Sequence, residues 1–386
     1  MPPLLIVATV VFLEVVCLGA VIPSLTPFAE SLGGSVLIGG IMFALVSGPK
    51  IFANPFWGHL SDRLGRKRVF LLLTTMTLGS SLIWALAEDL AAATGIAALI
   101  WLGLSRLIHG IFSAQATIAF AVASDTSVPE KRAAALGVLG AAFGGGLTVG
   151  FPLGGILAEA SSYAAIGWLC AGCELLALLL LLCLLRETRE NAAETPNVSP
   201  RQLLARPPIM LLAIICVIVT VGLSMMTPTL SPYLQDLFQF DRKAIGWTFF
   251  VFGIVSIIVQ GGLIRPIVKR FGERPTFVVG TIILAAGFVA LAVEPATTGM
   301  WVGIVLIGLG AGLSSPTLAA MFSLAVPPQQ QGAAHGLNQG CTSLGRTISY
   351  PIAGGLYQAA IALPYWIGAA LLLIGLLPLL RLGNRK

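Results

Sequence analysis

Apolar runs of about twenty residues or more recur along this chain, separated by short polar connections. A run of that length, coiled as a helix, matches the hydrocarbon thickness of a bilayer. In hydrocarbon every backbone N–H and C=O must be satisfied within the chain, and a helix does this inside one segment. Twelve segments qualify, approximately 4–28, 36–58, 68–88, 96–124, 133–158, 163–185, 208–233, 244–268, 275–294, 299–325, 333–359 and 362–381. Each is bounded by charges, proline or a Gly/Asn/Asp cluster. Only 10% of the 386 residues are charged, where soluble domains carry about 25%. A soluble enzyme, a nucleic-acid binder, a disordered tail and a secreted disulfide scaffold are therefore excluded as descriptions of the whole. The first segment starts almost at Met1 with no positive region ahead of it. It also outruns the roughly 7–15 apolar residues of a signal-peptide core, so it reads as a retained helix.

The net charge of +6 is a topology signal once its members are placed. Arg63, Arg66, Lys67 and Arg68 follow segment 2, and Lys131 and Arg132 follow segment 4. Arg186, Arg189, Arg201 and Arg206 sit between segments 6 and 7. Arg265, Lys269, Arg270 and Arg274 surround the end of segment 8, and Arg381, Arg385 and Lys386 close the chain. The loops of opposite parity hold only Arg242 and Lys243, against seven acids (Glu30, Glu88, Asp89, Glu159, Asp236, Asp241 and Glu294). The positive-inside rule then predicts a multi-pass protein of the plasma (bacterial inner) membrane with both termini cytoplasmic. Nucleic acid drops out as a partner. The six cysteines all fall inside predicted helices rather than in loops at ligand spacings, so neither a metal site nor a cofactor follows from them.

The one long connection, 186–207, is polar and proline-containing and reads as a flexible linker. It predicts an N-terminal bundle of six helices over 1–185 and a C-terminal bundle over 208–386. The halves echo each other. Val128-Pro129-Glu130-Lys131-Arg132 leads to Gly137, Gly146, Pro152 and Gly155; Pro327-Pro328-Gln329-Gln330-Gln331 leads to Gly336, Gly345, Pro351 and Gly354. Repeats of this size, related by a pseudo-two-fold axis with substrate held near the midplane, characterise secondary transporters.

Local motifs carry the chemistry. In Gly58-His-Leu-Ser-Asp62-Arg63-Leu-Gly65-Arg66-Lys67-Arg68, Gly58 allows a close helix approach. Asp62 can accept from a helix N-terminus or an arginine, and the basic run suits an anionic leaflet. Arg106, followed by His109 and Gly110, is an intramembrane arginine, which is costly and needs a partner or a water-filled face. Segment 5 spends glycine freely at Gly137, Gly140, Gly144, Gly145, Gly146, Gly150, Gly154 and Gly155 around Pro152, where backbones pack or slide closely. Glu14 lies roughly 16 Å from the start of its helix, near mid-bilayer. A carboxyl withdrawn from water favours its neutral form, as a proton carrier requires. Lys50 is placed to pair with it. Glu174 in segment 6 is the other buried acid and ranks below Glu14. Gln115, Gln260, Asn338, Gln339 and Arg346 are candidates to line a substrate cavity, though such residues also serve as interhelical glue.

The Gly58–Arg68 segment resembles motif A of the major facilitator superfamily. That resemblance implies a latch in which Asp62 docks on the eleventh helix and Arg66 pairs with Asp125; Asp125-x-x-x-Pro129-x-x-Arg132 fits the corresponding pattern. Arg106 and Gly110 are similar to the ends of motif B. Gly137, Gly146, Gly150, Gly154 and Gly155 are similar to the antiporter motif C, with Pro152 one position away from its usual place. Read end to end, the chain resembles the tetracycline:proton antiporter branch of the drug exporters. Ser81 and Leu284 stand where that branch carries aspartates, and Lys50 where it carries glutamine. The resemblance implies a twelve-helix, two-bundle fold without enzymatic activity or cofactor. It further implies a monomer whose partners are the bilayer, protons and a small-molecule substrate, exported by alternating access. A uniporter or importer on the same fold, and a non-transporting membrane scaffold, are the alternatives.

Overall fold

The computed structural model describes residues 2–127, 129–188, 200–293, 296–327 and 330–379. It is helical throughout, with no strand among the described residues. In chain order the helices are α1 (Pro3–Val21), α2 (Leu25–Ser31), α3 (Val36–Leu64), α4 (Arg66–Ala85), α5 (Ala87–Thr94), α6 (Ala98–Phe112), α7 (Gln115–Asp125), α8 (Pro129–Ala160) and α9 (Tyr163–Leu184). There follow α10 (Pro200–Leu204), α11 (Pro207–Ser224), α12 (Met226–Phe238), α13 (Arg242–Ile258), a π-helical turn over Val259–Leu263, α14 (Ile264–Phe271), α15 (Glu273–Val293), α16 (Thr297–Leu324), α17 (Gln331–Ala359) and α18 (Leu363–Ile374). Ten helical spans among the described residues are long and apolar enough to cross a membrane. The more polar α17 and the short α18 occupy the remaining two predicted segments.

Several segments expected to be continuous are jointed. The first breaks between α1 and α2, where Pro23 has no N–H to extend the ladder. The fourth breaks at Ser113 and Ala114, the seventh at Met225, and the eighth carries the π turn at Gln260-Gly261-Gly262. The helices α3 and α4 are separated by Gly65 alone, whose φ of +98° turns the chain at no steric cost.

The chain divides into two compact units, Met1–Ala193 with Phe240–Phe250, and Glu194–Gln239 with Val251–Lys386. In the first unit α1 is the central helix, packed along α8 and α9, while α4 packs on α9 and α6, and α3 on α6. One end of α1 (Ile6, Val7, Val10) shares an apolar cluster with Phe70 and Leu73 of α4 and with Ala177, Leu181 and Leu185 at the far end of α9. In the second unit α15 packs along α16 and α18, and α11 along α17. Leu175, Leu176, Leu179 and Leu182 leave the outer side of α9 exposed and wholly apolar, as a lipid-facing surface requires.

Candidate functional site: a buried polar centre and a helix-end latch

Five helices of the first unit bring charged or polar side chains into its interior. From α1 comes Glu14, whose Oε2 is buried without a hydrogen-bond partner. From α3 comes Lys50, whose charge acts on Glu14 and on His109, with Asn54 one turn further along, its Oδ1 also buried and unbonded. From α6 come His109 and Arg106. Arg106 is 4% exposed. Its guanidinium donates from Nη2 to the Ser105 hydroxyl at 2.9 Å and lies over Trp84, with Cζ 4.5 Å from the ring centroid. Its Nε is unsatisfied, and it forms no ion pair among the described residues. From α7 comes Gln115, fully buried, donating from Nε2 to the Thr77 hydroxyl at 2.9 Å. Glu174 on α9 is 2% exposed. It lies against Thr77 and within electrostatic reach of Glu14. This acid, ranked below Glu14 from the sequence, points into the unit, and the leucines around it point out.

The glycine-rich α8 fixes the helix that carries Glu14. A Cβ on Gly146 would fall 2.8 Å from the Phe12 carbonyl oxygen and from the Val15 Cβ. One on Gly150 would fall 2.8 Å from the Gly19 Cα, and Gly154 meets the backbone of Ala20 as closely. These three glycines form a seam along α1, on the side away from Cys17 and α9. Gly155 packs against Gly246 at the start of α13, within the same unit. Gly137 has nothing within 4 Å of its added Cβ, so it takes no part in the seam. Pro152 lies inside α8 between the close contacts. Gly110 performs the equivalent service on α6, lying against the α3 backbone at Leu45 and Val46, one turn before Lys50.

The second constellation gathers at the α3–α4 corner. Arg66 reaches Asp62 through Nη2 at 2.8 Å, Asp125 through Nε at 2.9 Å, and the Ser61 hydroxyl through Nη1 at 2.6 Å. Arg66 and Asp125, the two residues that the resemblance to motif A pairs, thus lie in direct contact. Gly58 faces the Thr117 methyl on α7, and Arg63 is exposed. Lys67 donates from Nζ to the Leu182 carbonyl at 3.0 Å. The side chain of Arg132 lies outside the described residues. Nothing in the local spacing gives a latch role to Glu187, just past α9. Its carboxylate accepts from the backbone N–H groups of Arg66 at 2.8 Å and Lys67 at 3.2 Å, at the positive end of α4. Trp84 is equally unannounced by any motif, whereas Ser61 stands within the Gly58–Arg68 segment.

The cavity candidates of the second unit differ in their surroundings. Asn338 on α17 is buried, and its Oδ1 accepts from the Cys216 thiol at 3.4 Å. Gln260 is exposed within the π turn, a local geometry frequent at functional sites. Gln339 and Arg346 are exposed on α17. All six cysteines are free, and no cluster of three metal-binding side chains occurs among the described residues.

Comparisons with known proteins agree with this architecture. The family model described as Major Facilitator Superfamily matches residues 4–265 and 212–386. The class C tetracycline resistance protein of Escherichia coli is 30% identical over 398 residues, covering 98% of this chain and 96% of that protein. Among solved structures, the human organic anion transporter MFSD10 (TETRAN) superposes with a TM-score of 0.74 at 22% identity, covering 98% of this chain and 99% of that one. The nucleoside transporter NupG superposes with a TM-score of 0.81 at 12% identity, covering 99% and 100%.

Proposed function

This chain belongs to the major facilitator superfamily, and we propose that it exports a small drug-like or metabolite solute in exchange for protons. It is a multi-pass membrane transporter rather than an enzyme. Proton coupling rests on one observation above all: Glu14 holds a carboxyl oxygen inside the first unit with no hydrogen-bond partner. An ionisable group at membrane depth is retained against its desolvation cost, which marks it as functional by default. Drug-like cargo is supported by the likeness to tetracycline resistance proteins over nearly the whole chain. A solute that is anionic or zwitterionic is favoured by the charges within the predicted membrane segments, where Lys50, Arg106 and Arg346 outnumber Glu14 and Glu174.

In the proposed cycle the bundles 1–185 and 208–386, joined by the linker 186–207, expose the site alternately to the two sides. Glu14 takes a proton from outside and thereby weakens solute binding; it releases that proton inward as solute reloads. One elementary charge moving down 100 mV supplies about 2.3 kcal/mol, roughly a fifty-fold concentration ratio. The latch of Asp62, Arg66, Asp125 and Glu187 holds one of the closed states. The distribution of Lys and Arg supports insertion in the bacterial inner membrane with both termini cytoplasmic.

A panel of tetracyclines and anionic or zwitterionic drugs, offered to cells that lack their own exporters, tests the reading. The wild-type chain is expected to lower the accumulation of at least one compound. Glu14→Gln, present in the membrane at equal level, is expected to return accumulation to that of empty cells. Asp62→Asn is expected to lower the rate. Unimpaired export by Glu14→Gln would favour the uniporter alternative.

A further inference from the structure

Glu14 does not stand alone. On α1 the residues Val7, Val10, Glu14 and Cys17 recur every three or four positions and so share one helix face. On α9 the same holds for Cys170, Glu174, Ala177 and Leu181. These two faces meet. The Cys17 thiol donates to the Cys170 carbonyl at 3.9 Å, and the Cys170 thiol donates to the Cys17 carbonyl at the same distance. Beyond that contact, Val7 and Val10 lie in one apolar cluster with Ala177 and Leu181. The helices are therefore antiparallel, and their register is set by the cysteine pair at one end and the aliphatic cluster at the other. Glu14 lies three residues from Cys17 toward that cluster, and Glu174 four residues from Cys170 in the same direction. At about 1.5 Å per residue the two acids are level with each other. The electrostatic contact between them agrees with this placement. Each has one buried carboxyl oxygen without a hydrogen-bond partner, Oε2 on Glu14 and Oε1 on Glu174.

We propose that Glu14 and Glu174 form one two-carboxyl proton site, in which a proton is shared between the facing side chains and a second proton neutralises both. This rests on the reading of Glu14 as the proton-coupling group, and it gives the carrier a capacity of two protons per cycle. Two facing carboxylates withdrawn from water repel each other, and one proton held between them as O–H···O⁻ relieves the repulsion. The groups facing the pair are few. From α1 and α9 come the thiols of Cys17, Cys170 and Cys173; from α4 the Thr77 hydroxyl; from α7 Gln115; from α3 Lys50. From α6 come Arg106 and His109, and the membrane-embedded stretch of α8 contributes no charge. Lys50 acts on Glu14, so the two acids are inequivalent and lose their protons in sequence.

Infrared titration of the purified full-length protein in lipid nanodiscs reads this directly, through the C=O stretch of protonated carboxyls. Between about pH 5 and pH 9 the wild type is expected to lose that signal in two steps. Glu14→Gln and Glu174→Gln are each expected to leave a single step, and the double variant none. A titration unchanged by Glu174→Gln would overturn the shared site while leaving Glu14 as the coupling group. A titration unchanged by Glu14→Gln would overturn the proton reading of Glu14 itself. Should a variant fail to fold, modification of the wild type by a hydrophobic carbodiimide, which attacks protonated carboxyls, probes the same pair by mass spectrometry. Labelling of both acids at mildly acid pH is expected; labelling of Glu14 without Glu174 contradicts the pair.

Discussion

Arg66 and Asp125 lie 59 positions apart in the chain and 2.9 Å apart in the fold, from Nε to Oδ2. The same guanidinium spans Asp62 and Ser61, so three chain segments converge on one planar cation. A hydrogen bond to a charged group contributes about 1.5–3 kcal/mol. Arg66→Ala is expected to lower thermal stability in detergent more than Asp125→Asn does. Arg66→Lys is expected to recover only part of the loss, since an ammonium cannot hold the forked geometry. Equal melting temperatures for Arg66→Lys and wild type would contradict this.

The turn beside this cation carries a separate prediction. Gly65 has φ +98°, and its missing side chain leaves room for the Glu187 carboxylate that caps α4. Glu187→Ala removes one cap and is expected to cost about 1 kcal/mol. Gly65→Ala imposes backbone strain and also expels the carboxylate, so it is expected to cost more. Thermal unfolding of the two variants side by side checks the order.

The glycines of α8 divide by what they touch. Gly150→Val is expected to force α1 and α8 apart and to lower both stability and transport, because any Cβ there meets the backbone of Gly19. Gly137→Ala, with open space around it, is expected to be neutral to within about 0.5 kcal/mol. Growth on a toxic substrate together with a melting curve separates the two.

Arg106 over Trp84 joins α6 to α4. A desolvated cation–π contact contributes up to about 2 kcal/mol. Trp84→Leu is expected to destabilise by that order and also to release the Tyr163 carbonyl, which accepts from the indole at 2.9 Å. Trp84→Phe keeps the ring face and loses only the hydrogen bond, so its melting point is expected to fall between those of Trp84→Leu and wild type.

How far the sequence could be read follows from these same residues. The twelve helical segments were legible because hydrocarbon leaves the backbone so few choices, and the Arg66–Asp125 pair because the Gly58–Arg68 segment resembles motif A. The joints at Ser113 and Met225 were not, since neither position carries a proline or glycine to announce a break. Glu174 was undervalued for a physical reason. The helix α9 is apolar almost all round, so nothing in its periodicity tells which side faces inward. Only its register against α1 reveals that. Trp84 and Glu187 act through contacts with distant segments, which local spacing does not encode.

The central claim, that solute movement is coupled to protons through Glu14, is tested most directly in proteoliposomes. Vesicles loaded at acid pH are diluted into neutral medium containing a solute that the export panel has identified. Wild-type protein is expected to accumulate that solute, up to about tenfold per pH unit for each exchanged proton, and a protonophore is expected to abolish the accumulation. Glu14→Gln is expected to show no accumulation under the same gradient. Uptake that ignores the gradient, or a Glu14→Gln protein that accumulates like wild type, would contradict proton-coupled exchange.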